Sequence, residues 1–347
     1  MEAVDVRGRF VWHELMTRDV PAAKKFYSGL TGWKPQAWPL DPTYTVNHSE
    51  HGPQAGFLPI PADMPADIPA HWVTYIGTRD VDGIAAAAVR AGGSILKGPD
   101  EIKGAGRYAV LKDPHGAVFA ILDPENSRAE PAGMPPTGSF SWHELATSDN
   151  EAAFAFYSGL FGWDALERHD MGPMGIYLIF GSNGVQRGGI FIKPAENPGP
   201  PYWLPYVSIP DADAAFAHAT GNGAKVLVPP MDVPGGTRIA QLMDPTGAAF
   251  AVHSPGAAAP PTPKAKPAAA KPAPAVKPAV KAPPKAKAAP KKKTPKKKAA
   301  ARKPAPKKKV VKKAAARKAA KKSTTKKSAA RKRAPARKRA RSTRRKK

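Results

Sequence analysis

Two short stretches carry the side chains best suited to chemistry, Trp12-His13-Glu14 and Trp142-His143-Glu144. Glu14 and Glu144 can accept hydrogen bonds from a bound molecule or act as a base. They suit a strand-end ion pair with arginine equally well. Trp12 and Trp142 serve either as an aromatic floor for a flat ligand or as packing. His13 and His143 are metal-ligand types, but they alternate away from the glutamates and read better as partly buried structural histidines. Arg107 and Arg238 suit a clamp for an anionic ligand or a partner for Glu14 and Glu144, with a structural salt bridge the simpler reading.

These residues need elements to hold them. Residues 9–15 alternate and are rich in aromatic and β-branched types, which predicts a strand. Phe10, Trp12 and Glu14 then share one face, and Val11, His13 and Leu15 the other. Asp19 suits an N-cap and Pro21 the first helical turn. Ala23, Phe26, Tyr27 and Leu30 follow at helical spacing, and Gly32 suits the stop. Residues 34–70 are rich in Pro and Gly, with short strands predicted at 44–47 and 56–60. Another strand is predicted at 71–76. Asp82 is placed as the cap of a second helix, with Ile84, Ala85, Ala88 and Ala91 inward and Gly92-Gly93 at its end. Further strands are predicted at 95–96, 107–111 and 117–122. The last two are joined by Asp113-Pro114-His115-Gly116, which has the residues of a type I turn.

Residues 10–33 recur as 140–163. Trp12, His13, Glu14, Leu15, Thr17, Asp19, Phe26 and Tyr27 each reappear 130 positions later. Trp72, Tyr75, Asp82, Arg107 and Asp113 reappear as Trp203, Tyr206, Asp213, Arg238 and Asp244, 131 positions later. The chain therefore holds two copies of one domain. Each copy reads as strand, helix and short strands, twice over, which makes two βαβββ units of the α+β class. The expected divisions are a domain at 7–124, a linker at 125–137, a domain at 138–255 and a tail at 256–347.

The tail differs from the rest. It holds 37 of the chain's 55 Lys and Arg and none of its 27 Asp and Glu, so the overall charge of +28 conceals a body of net −9. It has no aromatic residue, and such a composition predicts disorder in isolation. There is no cysteine in the chain, which excludes disulfides, thiol catalysis and cysteine-held metals. The first residues lack a signal-peptide pattern, and no apolar run approaches the roughly 18 residues of a membrane span. A soluble, cytoplasmic protein without a membrane partner is expected, either a monomer whose copies pair within the chain or a homodimer.

The run D-x-x-x-A-x-x-F-Y-x-x-L-x-G-W, the Asp-led Ala-rich helix ending in Gly-Gly, and the D-P-x-G hairpin together resemble the vicinal-oxygen-chelate superfamily of glyoxalases, bleomycin-resistance proteins and extradiol dioxygenases. That resemblance implies two tandem domains, each with paired βαβββ units curled into a cup. It makes Trp12, Glu14, Arg107, Trp142, Glu144 and Arg238 candidates for binding a small organic ligand. Family enzymes hold a divalent metal in the cup through His and Glu. Here the matching positions carry Trp12 and Trp142, and Ala120 and Ala251, so no cofactor is expected and no metal ligand is assigned.

The tail also resembles those of linker histones. Dispersed Lys and Arg neutralise backbone phosphates and release counterions. The expected contacts are Lys291, Lys292, Lys293, Lys296, Lys297, Lys298, Lys307, Lys308, Lys309, Arg331, Arg333, Arg337, Arg339, Arg344 and Arg345. Without a stacking platform, the target is duplex DNA read without sequence preference, which places the protein at a nucleoid, or in the nucleus of a eukaryote. The expected function is thus small-molecule binding on a DNA tether. The alternatives are a glyoxalase-type enzyme with rearranged metal ligands, or an architectural protein that condenses DNA.

Overall fold

The computed structural model describes residues 4–127, 133–197 and 199–255. The tail expected over 256–347 and part of the expected linker lie outside the described residues. The first copy contains strand β1 (Phe10–Thr17), helix α1 (Val20–Thr31), β2 (Lys34–Trp38), β3 (Asp41–Ser49) and β4 (Gly52–Pro59). It continues with β5 (His71–Gly77), α2 (Val81–Arg90), β6 (Ser94–Ile102), β7 (Gly106–Lys112) and β8 (Val118–Pro124). The second copy repeats this order. It runs through β9 (Phe140–Thr147), α3 (Asn150–Phe161), β10 (Asp164–Asp170), β11 (Ile176–Ser182) and β12 (Val185–Ile192). It ends with β13 (Tyr202–Ser208), α4 (Ala212–Gly221), β14 (Lys225–Val233), β15 (Thr237–Met243) and β16 (Ala249–Pro255).

Each copy makes one eight-stranded sheet, ordered β2-β3-β4-β1-β5-β8-β7-β6 and β10-β11-β12-β9-β13-β16-β15-β14. The two βαβββ units of a copy meet where β1 runs antiparallel to β5, and β9 to β13. The strands bearing Glu14 and Glu144 therefore lie at the centre of their sheets.

Three local expectations need correction. The stretch Lys-Pro-Gln-Ala-Trp is a strand, β2, although its proline suggests a loop. It is the outermost strand and pairs on one side only, where a missing N–H is tolerated. Asp80, not Asp82, caps α2, accepting from Gly83 N at 2.8 Å, and Asp211 does the same for α4. The cap sits two residues earlier, so Val81, Ala85 and Ala88 form the buried stripe of α2, and Ala91 is exposed.

The helix-covered face of each sheet packs against the other copy. One apolar cluster joins Ala85, Leu111 and Phe119 of the first copy to Phe156, Tyr157 and Trp203 of the second. The other joins Phe26, Tyr27 and Trp72 to Ala215, Leu242 and Phe250. Buried polar contacts repeat in both directions. The Tyr157 hydroxyl donates to Asp113 Oδ2 at 3.0 Å, and the Tyr27 hydroxyl to Asp244 Oδ2 at 2.9 Å. Trp163 donates its indole N–H to Gly8 O at 2.8 Å, and Trp33 to Gly138 O at 2.7 Å. Buried hydroxyls and indoles require such partners. Much of the repeated Phe-Tyr…Trp signature is thus the seam between the copies.

Candidate functional site

The site begins with strand alternation in β1 and β9. A register shift between Phe10 and Trp12 turns Phe10 to the helix-covered face, so only Trp12 and Glu14 of the expected trio share the open face. Phe10 stacks on His143 and Phe140 on His13, each with ring centroids 3.6 Å apart. Both histidines are buried, and their Nε2 atoms lie 2.7 Å apart. Burial pushes both imidazoles well below their ordinary pKa, as expected when charge must leave water.

On the open face, the Tyr75 hydroxyl donates to Glu14 Oε2 at 2.9 Å. The Tyr44 hydroxyl is its second partner and accepts from Trp12 Nε1 at 2.8 Å. The second copy repeats this network. Tyr177 donates to Glu144 Oε1 at 2.8 Å and Tyr206 to Oε2 at 2.6 Å, while Trp142 Nε1 donates to the Tyr177 hydroxyl at 3.0 Å. Each glutamate sits on the floor of a cup, partly accessible yet surrounded by protein. Desolvation raises the pKa of both, outweighing the hydroxyl bonds that favour the anion. Burial, and then the neighbouring carboxylate, pushes Tyr44, Tyr75, Tyr177 and Tyr206 up, so the phenols stay protonated donors.

The walls are apolar. In the first cup they include Val73, Tyr108, Val110, Ala120 and Leu122, and in the second Leu204, Ile239 and Ala251. The tyrosines are the functional residues that sequence reasoning missed. Tyr75 and Tyr206 were visible only as repeat partners. Tyr44 and Tyr177 are 133 positions apart, an offset hidden in loops of unequal length. Their signal is a glycine pair at the same spacing. Gly56 and Gly189 lie opposite Glu14 and Glu144 in the parallel ladders β1–β4 and β9–β12. A Cβ at Gly56 would overlap the Tyr44 hydroxyl, and one at Gly189 the Tyr177 ring.

Arg107 and Arg238 are not in the cups. They share a strand face with Ala109 and Leu111, and with Ala240 and Leu242, which pack under the helices. Arg107 instead forks onto Asp82, with both bonds at 2.7 Å, and Arg238 onto Asp213 at 2.6 and 3.0 Å. Alternation along the strand explains this, since the cup side belongs to Tyr108 and Val110, and to Ile239 and Gln241.

The donors in the cups do not fit a divalent metal, which needs about three protein ligands around an open position. Ala120 and Ala251 face the cups fully buried, and each floor offers one carboxylate already engaged by phenols. Among the described residues no three His, Asp or Glu side chains converge. No helix of the described residues is long and apolar enough to cross a membrane.

Comparison with known proteins agrees with this architecture. The chain is 32% identical over 248 residues to "Putative glyoxylase CFP32" of Mycobacterium tuberculosis, covering 70% of this chain and 94% of that one. It is 32% identical over 261 residues to the anthracycline biosynthesis protein DauV of Streptomyces sp. (strain C5), covering 71% and 92%. Among solved structures, the Mn(II)-bound glyoxalase of Novosphingobium aromaticivorans matches with TM-score 0.50 at 18% identity, covering 72% of this chain and 83% of that one. The 2,2',3-trihydroxybiphenyl 1,2-dioxygenase of Sphingomonas wittichii matches with TM-score 0.53 at 12% identity, covering 72% and 91%. The profile of one family matches residues 9–121 and again 139–252, and the chain belongs to it: the Glyoxalase/Bleomycin resistance protein/Dioxygenase superfamily.

Proposed function

We propose that this chain binds a small, flat, hydroxylated organic molecule in its cups and is held on duplex DNA by residues 256–347. The observation that carries the first part is the carboxylate–phenol–indole network found in both cups. Burying a carboxylate is costly unless it is hydrogen-bonded, and an apolar residue would fill the floor at less cost. A partly accessible carboxylate kept ready by two phenols is an acceptor for a ligand hydroxyl. The aromatic and aliphatic walls supply the apolar contact area that such sites use. The likeness to DauV supports the ligand class, because an anthracycline is a planar hydroxylated quinone. The polycationic composition of 256–347 supports the DNA tether. Together the two parts keep a reactive aromatic compound away from the DNA it would otherwise reach.

Titration calorimetry of the full chain against a panel of hydroxylated aromatics tests the ligand reading. Saturable binding that weakens in a Glu14→Gln, Glu144→Gln double variant is the expected result; no binding across the panel refutes it. Elemental analysis of the natively purified chain tests the metal-free cup, and about one metal per domain would overturn it. DNA retention tests the tether. Its logarithm should fall with log salt by about 0.9 per phosphate neutralised, and deletion of 256–347 should abolish it.

A second reading follows from the raised pKa of Glu14 and Glu144. Such a carboxylate is a better proton acceptor near neutral pH, so a metal-independent proton-transfer enzyme fits the same floor. Turnover lost in Glu14→Ala or Glu144→Ala, with binding kept, separates it from a pure binder.

A further inference from the structure

The two cups share a floor but not a wall. In the first sheet, Lys97 faces Val110 across β6–β7, and Tyr108 lies two residues before Val110. In the second, the same register places Val228 opposite Gln241 across β14–β15, with Ile239 two residues before. Three polar choices are therefore inverted. Gln241 Nε2 reaches over buried Ala251 to Glu144 Oε2 at 3.1 Å and to the Tyr206 hydroxyl at 2.6 Å. With Tyr177 and Tyr206, Glu144 then receives three donors from its own chain, and both of its oxygens are engaged.

The first cup has the apolar Val110 in that lane, beside Ala120 in the ladder. Among the described residues, the hydrogen-bond partners of Glu14 are two phenols, Tyr75 and Tyr44. At the rim, the Lys97 ammonium stands 5.6 Å over the Tyr108 ring and within electrostatic range of Glu14. A cation and a carboxylate thus converge on the lane of Val110, which is partly accessible.

We infer that the cups are not equivalent. The first is the ligand site, taking one aromatic molecule that carries a hydroxyl beside an acidic oxygen, such as an ortho-dihydroxy or hydroxy-keto arene. The second is closed by Gln241, whose amide occupies the place of the ligand's hydroxyl. The hydroxyl donates to Glu14 and the acidic oxygen accepts from Lys97 Nζ. This inference rests on the binding reading above and narrows it to one cup and one ligand class.

The test is calorimetry of the full chain with 1,2-dihydroxyanthraquinone in high salt, which suppresses attraction to the tail. The expected stoichiometry is one per chain. Glu14→Gln and Val110→Gln should each weaken binding by about tenfold to a hundredfold, the weight of a hydrogen bond to a charged group, with a much smaller loss in Glu144→Gln and none in Asp213→Asn, at an ion pair outside the cups. Gln241→Val should open a second, weaker site. Lys97→Met should weaken this probe but not 1-hydroxy-2-methoxyanthraquinone, which keeps a hydroxyl and has its acidic oxygen capped. Two equal sites, or loss in Glu144→Gln rather than Glu14→Gln, would overturn the inference and leave the binding reading standing. Absence of saturable binding to this probe and to the wider panel would remove both.

Discussion

The Nε2 atoms of His13 and His143 sit 2.7 Å apart at the seam between the two copies. So short a contact requires one N–H and one lone pair. His143 Nδ1 faces the Arg187 carbonyl at 3.3 Å, so that nitrogen carries the proton and His143 Nε2 is the acceptor. His13 Nε2 then donates. The pair is neutral: a further proton on His143 would set two N–H groups against each other beside Arg187, and one on His13 would bury a charge beside that ring.

Acid should therefore loosen the molecule. Both imidazoles titrate lower folded than unfolded, so below about pH 6.5 the unfolded chain takes up protons that the folded chain refuses. Stability falls as pH falls through that window, by up to about 1.4 kcal/mol per pH unit for each histidine. Glu14 and Glu144 act in the opposite sense. Held above their ordinary range, they gain protons on folding and offset part of the loss at lower pH. Chemical denaturation of the full chain from pH 7.5 to 5 measures the slope, which His143→Gln should flatten.

Ligand binding should follow Glu14 in the same direction. The anion is the hydrogen-bond acceptor, and desolvation raises its pKa. Affinity should decline as pH drops through the raised value, which lies nearer neutrality than for a solvated glutamate. In Glu14→Gln the residual affinity should lose this pH dependence. An unchanged pH profile in that variant would assign the titration to another group.

How much of this could be read from the sequence is shown by particular residues. The duplication, the stripe of α1 and the open-face position of Glu14 follow from spacing, because periods of 2 and 3.6 are imposed by backbone geometry. Phe10 was misplaced because a bulge shifts the period, and a bulge leaves no mark in residue types. Arg107 suits a cup by residue type, yet its neighbours at i+2 and i+4, Ala109 and Leu111, mark its strand face as the covered one. Tyr44 is marked in the sequence only by the glycine spacing it shares with Tyr177. It reaches Glu14 from two strands away, across β4, and no local pattern encodes which side chain arches over a glycine.

The seam should be unusually sensitive to the hairpin aspartates. Asp113 Oδ1 accepts from the backbone N–H groups of His115, Gly116 and Ala117, while Oδ2 accepts from Tyr157 of the other copy. Asp113→Ala strips partners from a buried turn and a buried phenol together, and should cost about 3 kcal/mol or more. Tyr157→Phe removes only the hydroxyl, with its bonds to Asp113 Oδ2 and from the Trp203 indole, keeps the turn bonds, and should cost about 1–2 kcal/mol. Equal losses in the two variants, measured by urea denaturation, would mean that the turn bonds contribute little.

Gly56 and Tyr44 should be coupled through shape alone. The ring of Tyr44 lies where a side chain on Gly56 would project, and its hydroxyl links Trp12 to Glu14. Gly56→Ala must therefore displace the ring, at about 1–3 kcal/mol for overpacking, and must also break the chain of bonds to the carboxylate. Tyr44→Ala removes the obstacle, so adding Gly56→Ala to it should cost much less than adding it to the parent chain. The interaction energy from this double-mutant cycle should be at least about 1 kcal/mol in the sense of relief. The Trp12 indole, freed from its acceptor in either single variant, should report the same event as a shift in fluorescence. Strict additivity would place Tyr44 elsewhere in solution and dissolve the floor of the first cup.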